Sequence, residues 1–246
     1  MANIHWPVPI DTHHCVDAAN INETLARVFS AMRITHEAQT QTQSQSHIQG
    51  QDQEPIDNYA STLKPFYASE DNLLERIQLP EFQTLIAFIA NSLQKTVMNI
   101  NAGVWPPGRM SLQLQLMGCW FQIQNGMAFH DVHTHGNCSW SGVYYVQCDD
   151  EAQRVNHPSL GAINGVTRFY GPYTQWLGGA HVDIGNAYLQ KNTVDVTPEP
   201  GKLVVFPSYL PHQAMPYEGK TDRIIVSFNA QVHAAGGDKV FEYAAT

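Results

Sequence analysis

The spacing of hydrophobic and polar positions changes once along the chain, near residue 110. Before that point apolar residues recur at helical intervals. Ile21, Leu25, Val28, Phe29 and Met32 fall on one face of a helix predicted over 20–32, with Asn20 as its cap and Glu23 at the capping-box position. A second helix is predicted over 80–97. Pro80 suits its first turn, Glu81 favours its positive end, and Phe82, Leu85, Ile86, Ile89 and Leu93 form a stripe for core packing. Residues 1–19 read as irregular and extended, and WPPG at 105–108 breaks the chain.

After the break the period is two. Leu112, Leu114 and Leu116 alternate with Gln113 and Gln115 in a strand predicted over 111–124. Further strands are predicted over 139–147, 166–170, 193–196, 202–206 and 222–232, separated by turn sequences such as PEPG at 198–201. Helices first and short strands afterwards argue for a mainly β barrel or sandwich with N-terminal helices packed on one face. The 246 residues suit one domain spanning 1–246, its helical part at about 20–100 and its barrel core at about 110–232.

One segment fits neither period. Residues 35–55 include QTQTQSQSHIQGQDQ, in which Gln39, Gln41, Gln43 and Gln45 alternate with Thr and Ser. Nothing there drives a packed core, so a flexible surface loop is expected, and its sharper reading is a lid over a pocket.

Charge narrows the partners. The chain carries 13 basic and 22 acidic residues, a net charge of −9, which argues against nucleic acid or an anionic membrane surface as the main partner. No apolar run approaches the roughly 20 residues of a membrane span. The opening MANIHWPVPIDTHH has neither the basic start nor the apolar centre of a secretion signal. A cytoplasmic protein is expected, with Cys15, Cys119, Cys138 and Cys148 reduced. A homo-oligomer stays open.

The chemistry gathers at residues 130–146, HDVHTHGNCSWSGVYYV, with His130, His133 and His135 within six positions. On an extended strand His133 and His135 share a face and form a metal-binding pair. The best third ligand is His212, in LVVFPSYLPHQAMPY. Asp131 lies two residues before His133, but no histidine lies two before Asp131, so the usual two-histidine, one-carboxylate set is not evident. Arg223 opens the last strand, where Arg223, Ile225, Ser227 and Asn229 share one face and Ile224, Val226 and Phe228 the other. An arginine facing a barrel interior needs a partner, and a dicarboxylate would supply one. The alternative is an arginine in solvent, or one paired with Asp222 or Glu218.

Taken together, Trp120, the Asn125–Gly126 turn, HxxHxHxN at 130–137, SGVYYVQ at 141–147, TPEPGKLVVFPSYLPH at 197–212 and DRIIVSFN at 222–229 carry a resemblance. The chain resembles the iron(II)/2-oxoglutarate-dependent oxygenase superfamily, in particular a group akin to prolyl hydroxylases, over about residues 110–230. The resemblance implies a double-stranded β-helix (a jelly-roll, cupin-like barrel). It also implies a dioxygenase that consumes O2 and 2-oxoglutarate with Fe(II), hydroxylates a small-molecule or peptide substrate, and releases succinate and CO2. It sets His133 as first ligand, His135 where an acid usually stands, and His212 as the distal ligand. Arg223 would bind the far carboxylate of 2-oxoglutarate, with Tyr145 adding a hydrogen bond. Ile225 stands where some relatives have Ser, and Ser227 comes later; Asn229 fits the SFN ending. Two other readings remain: a three-histidine cupin-type dioxygenase without 2-oxoglutarate, which Arg223 argues against, and a non-catalytic metal- or small-ligand-binding barrel. His130 receives no role.

Overall fold

The computed structural model describes residues 8–46, 63–103, 105, 111–171 and 192–235. In chain order these form β1 (Asp11–His14), α1 (Ala18–Ser46), β2 (Phe66–Ala68), α2 (Leu73–Arg76), α3 (Pro80–Asn101), β3 (Ser111–Gln124), β4 (Ala128–His133), β5 (Trp140–Gln147) and α4 (Glu151–Val155). There follow β6 (Thr167–Tyr170), β7 (Thr193–Val196), β8 (Lys202–Pro207), β9 (His212–Tyr217) and β10 (Arg223–Ala235).

The strands make two antiparallel sheets. The major sheet has the order β1-β8-β5-β10-β3-β2 and the minor sheet β4-β9-β6-β7. From β5 onward the chain crosses repeatedly between them, which is the winding of a double-stranded β-helix.

The major sheet is buried on both faces. Towards the helices it presents Cys119, Phe121 and Ile123 from β3, Tyr144 and Val146 from β5, and Ile224, Val226 and Phe228 from β10. The α3 stripe of Phe82, Leu85, Ile89 and Leu93 packs there, as do Ile21, Leu25 and Phe29 of α1, with the Phe29 and Phe121 rings stacked at 4.4 Å. Towards the barrel interior the same sheet presents Val143 and Tyr145 from β5, Val204 and Phe206 from β8 and Ile225 from β10, which meet Phe169 of the minor sheet. Burial on both faces is why VYYV and LVVF read as continuous apolar runs. Gly142 is required between the faces: a Cβ there would meet the Phe228 ring at 2.4 Å.

The predicted long helix and the strands at 111–124, 139–147, 166–170, 193–196, 202–206 and 222–232 are present, with ends shifted by a few residues. Several expectations are corrected. The first helix begins at Ala18, so Asn20 lies in its first turn rather than capping it, and it runs on through Ser46. Residues 35–46 are therefore helical, not loop. The reason is polar anchoring that a hydrophobic pattern does not show. Arg33 and Glu37, both buried, pair at 3.2 Å one turn apart, and Arg33 also reaches Asp222 at 3.2 Å and the Lys64 carbonyl at 2.5 Å. Thr35 and Thr40 satisfy their hydroxyls on the carbonyls of Ala31 and His36. Residues 47–55, the rest of that expected loop, and any lid they form lie outside the described residues. Residues 11–14 are not irregular but add a strand to β8, with Asp11 opposite Val205. The short strands β2, β4 and β9 carry little apolar alternation and escape a reading by period. Among the described residues no helix is long and apolar enough to cross a membrane, and the four cysteines are free.

Candidate metal centre

A bulge prepares one wall of the site. In the β10–β3 ladder Asn229 pairs with Gly118 but Ala230 pairs with Leu116, so Met117 is left without a partner. The extra residue reverses the alternation of β3. Leu112, Leu114 and Leu116 pack towards the helices before it, and Cys119, Phe121 and Ile123 do so after it. Trp120, Gln122 and Gln124 are thereby turned to the other face, opposite Ser227, Ile225 and Arg223 of β10.

The other wall comes from the minor sheet. His133 closes β4 and is the register partner of His212, the first residue of β9, which also pairs with Phe169 of β6. His135 is not on a strand: it lies in the connection from β4 to β5, so the expected pairing of two imidazoles on one strand face is corrected. That connection must leave the minor sheet for the major one. It is pinned by His135 N–H to the Ser208 carbonyl at 2.9 Å and by the Ser208 hydroxyl to the Cys138 carbonyl at 2.5 Å.

One nitrogen from each of His133, His135 and His212 can be chosen so that all three lie within 4.8 Å of one another. The Nδ1 of His133 lies 2.7 Å from the Asp131 carbonyl, and the Nδ1 of His212 lies 3.0 Å from the Leu210 carbonyl. A carbonyl only accepts, so each Nδ1 donates and each Nε2 is the nitrogen left to face a metal. The Nε2 atoms of His135 and His212 stand 3.3 Å apart. His212 is wedged against Phe206, ring centroids 4.6 Å apart. Burial drives its pKa down to about 3, against the raising effect of its bond to Leu210 and with help from the neighbouring histidines. His135 is driven down to about 4, first by burial and then by His133 and His130. Neutral imidazoles of fixed tautomer are the form that binds a metal, and imidazole suits iron, zinc, copper and nickel. The residues fit a mononuclear transition metal. Among the described residues no carboxylate joins the set.

Arg223 is fully buried. It pairs with neither acid considered from the sequence: Asp222 is held by Arg33 at 3.2 Å, and Glu218 by His157 at 3.1 Å. Its guanidinium donates to the Gly165 carbonyl at 3.0 Å, to the Gln124 side-chain oxygen, and to the Thr167 hydroxyl at 3.3 Å. Its carbon lies 5.2 Å from the Tyr145 ring centroid. Gly165 (φ 73°) permits this approach, because a Cβ there would meet the Tyr217 ring at 2.5 Å. All these partners are neutral. Among the described residues Arg223 forms no ion pair, so the barrel interior holds an uncompensated positive charge.

A narrow cleft joins the two groups, lined by the three histidines, His130, Trp120, Gln122, Thr167, Arg223 and Ser227 among others. His130 stacks beside His133 with centroids 4.2 Å apart, and Trp120 stands 5.8 Å from His135. Tyr145 lies behind this wall, its hydroxyl 2.6 Å from that of Thr167, and burial raises its pKa despite nearby Arg223. Asn229 does not line the cleft; its side-chain oxygen accepts from Ser141 at 2.8 Å. Sequence reasoning missed Gln122, Gln124 and Thr167. The two glutamines carry an alternation signal, but its phase depends on the bulge at Met117.

Fold and site together define a jelly-roll barrel in which three histidines able to hold a metal stand beside a buried arginine that forms no ion pair among the described residues. Residues 118–229, which contain all of these side chains, match the family described as "Putative 2OG-Fe(II) oxygenase". Over this stretch, somewhat under half of the chain, the sequence is similar to the iron(II)/2-oxoglutarate-dependent oxygenases, an oxidoreductase class that uses Fe(II), 2-oxoglutarate and O2. HygX from Streptomyces hygroscopicus, solved with nickel and 2-oxoglutarate bound, shares the fold at a TM-score of 0.52 and 10% identity, over 91% of this chain and 82% of that one. A prolyl-4-hydroxylase from Pseudomonas putida aligns at a TM-score of 0.49 and 13% identity, over 91% of this chain and 93% of that one. No curated protein matches the chain in sequence.

Proposed function

We propose that the chain is a working 2-oxoglutarate-dependent dioxygenase in which His133, His135 and His212 hold Fe(II) and Arg223 grips the far carboxylate of 2-oxoglutarate. One observation carries this reading: a buried guanidinium without an acid partner among the described residues shares a cleft with three converging imidazoles. When bound, iron with 2-oxoglutarate and O2 supplies the oxidising power to hydroxylate a C–H bond, yielding succinate and CO2.

The chain's own residues have separable parts. The Asp131 and Leu210 carbonyls accept from Nδ1 of His133 and His212, which orients each ring and leaves Nε2 as the nitrogen that would meet the metal. Arg223 presents a planar donor pair to a carboxylate, and its orientation is set by Gln124, Gly165, Thr167 and the Tyr145 ring. Ser227 adds a hydroxyl to the wall between the two ends. The barrel's apolar interior limits water around the reacting atoms. We further propose that residues 1–246 act as one domain in the cytoplasm, on a small-molecule or peptide substrate and without nucleic acid or membrane, a homo-oligomer being compatible with this reading. The net charge of −9 supports the exclusions.

The test is anaerobic. Fe(II) and 2-oxoglutarate together are expected to produce a visible charge-transfer absorption that neither gives alone, and admitting O2 should release succinate. Replacing His212 or His133 by Ala should abolish the band, while replacing Arg223 should weaken 2-oxoglutarate far more than iron. A band without any succinate would favour a binding protein over an enzyme. Iron binding that ignores 2-oxoglutarate would favour the cupin-type alternative and overturn the assignment of Arg223.

A further inference from the structure

The proposed site leaves one buried amide without a task. Beyond the bulge, β3 points three side chains at the barrel interior in successive rows. Trp120 stands opposite Ser227, Gln122 opposite Ile225, and Gln124 opposite Arg223. The first row is at the metal end, with the Trp120 ring 5.8 Å from His135. The third is at the anion end, where Gln124 accepts from Arg223. Gln122 holds the row between them. It is 5% exposed, it lines the cleft, and among the described residues its side chain makes no hydrogen bond.

Its surroundings are short of acceptors. Arg223 has five N–H groups and spends three on protein partners. The Gln124 side-chain nitrogen is buried and has no partner. The Thr167 hydroxyl is already shared between Tyr145 and Arg223. For packing alone an apolar residue would serve in the middle row, as Ile225 does across from it. The fully buried atom without a partner here is the Gln124 nitrogen, whereas the Gln122 amide opens on the cleft, where an occupant that brings acceptor oxygens can meet it.

We propose that Gln122 is a cosubstrate-binding residue: its carboxamide donates a hydrogen bond to the far carboxylate of the bound 2-oxoacid, beside Arg223, and so selects a dicarboxylate over a monocarboxylate of the same length. This rests on the functional reading above. Gln122 and Arg223 divide the labour, the guanidinium supplying charge and the amide a directed donor that an acid with a methyl end cannot use.

The experiment is calorimetric binding to the Mn(II)-loaded protein, which needs no turnover. The probes are 2-oxoglutarate and 2-oxopentanoate, which replaces the far carboxylate by a methyl group. The wild-type protein should prefer 2-oxoglutarate. Gln122→Leu should weaken it by about tenfold or more, the scale of a hydrogen bond to a charged group, and leave 2-oxopentanoate and Mn(II) unchanged. Gln122→Glu, nearly isosteric, should weaken it by about a hundredfold through like-charge repulsion added to the lost donor. Gln122→Asn, which keeps the amide one methylene shorter, stands in should the leucine variant not fold, and it too should lose selectivity. Unchanged 2-oxoglutarate affinity in these variants, or equal losses for both acids, overturns the role of Gln122 while leaving the oxygenase reading intact. A wild-type protein that binds Mn(II) but does not prefer 2-oxoglutarate overturns both.

Discussion

The two faces of the major sheet are built from the same strands and differ in almost every physical respect. The helix-facing side is a continuous apolar layer running from Ile21 and Phe29 through Phe121 to Phe228. The barrel-facing side has a smaller apolar cluster around Tyr145, Phe206 and Ile225, and beside it Trp120, Gln122, Arg223 and Ser227 around a cleft. One residue of shift along a strand separates a stabilising side chain from a functional one. The outer face is satisfied by its own contacts. The inner face keeps a charge without an ion pair among the described residues and two amides with spare donors, and it looks across the cleft at the three histidines of the minor sheet and the β4–β5 connection.

That contrast can be broken most severely at the bulge. Deleting Met117 would remove the phase change in β3 and force either the leucines at 112–116 or the residues from Cys119 to Gln124 onto the wrong face. Loss of cooperative unfolding, followed by circular dichroism, is expected; a deletion variant of wild-type stability would show that the bulge does not set the phase.

Point substitutions sharpen it. On the outer face, Phe121→Ala removes a fully buried ring stacked on Phe29 and is expected to cost about 3–5 kcal/mol, read from urea unfolding midpoints. On the inner face, Arg223→Met should do the opposite kind of damage. Unfolding should stay within about 1 kcal/mol of wild type or improve, because a desolvated unpaired charge is removed, while 2-oxoglutarate binding to the metal-loaded protein disappears. Severe destabilisation by Arg223→Met would mean that the guanidinium serves the fold instead.

The smallest effect is on pH. His212 and His135 have folded pKa values pushed down to about 3 and about 4, against about 6.5 in an unfolded chain. Below about 6.5 the unfolded chain takes up protons that the folded chain refuses, so metal-free stability should fall as pH drops from about 6.5 towards 4. Above that range the two residues should contribute no slope. Melting temperatures between pH 5 and 8 test this, and a His135→Ala, His212→Ala double variant with an unflattened profile would assign the slope to other groups.

Much of the site is legible along the chain because its signals are local. His133 and His135 stand two apart, and the inward set of Arg223, Ile225 and Ser227 follows from strand period. Other parts depend on pairing. The amphipathic stripes of α1 and α3 are visible, whereas the extension of α1 to Ser46 rests on Arg33 reaching Asp222, 189 residues away. Gln122 and Gln124 look like the solvent side of an alternating strand until the partner strand shows that a residue has been skipped.

By itself, then, the sequence determined the helices-then-strands order and singled out His133, His135, His212 and Arg223 as candidates, since period and residue type are properties of the chain alone. Tertiary structure decided which face of β3 looks inward, that His135 reaches the cluster from a loop rather than a strand, and that Arg223 has no acid partner among the described residues. Those outcomes depend on which distant backbone groups pair and which side chains are left without partners, and neither is written in any short stretch of residues.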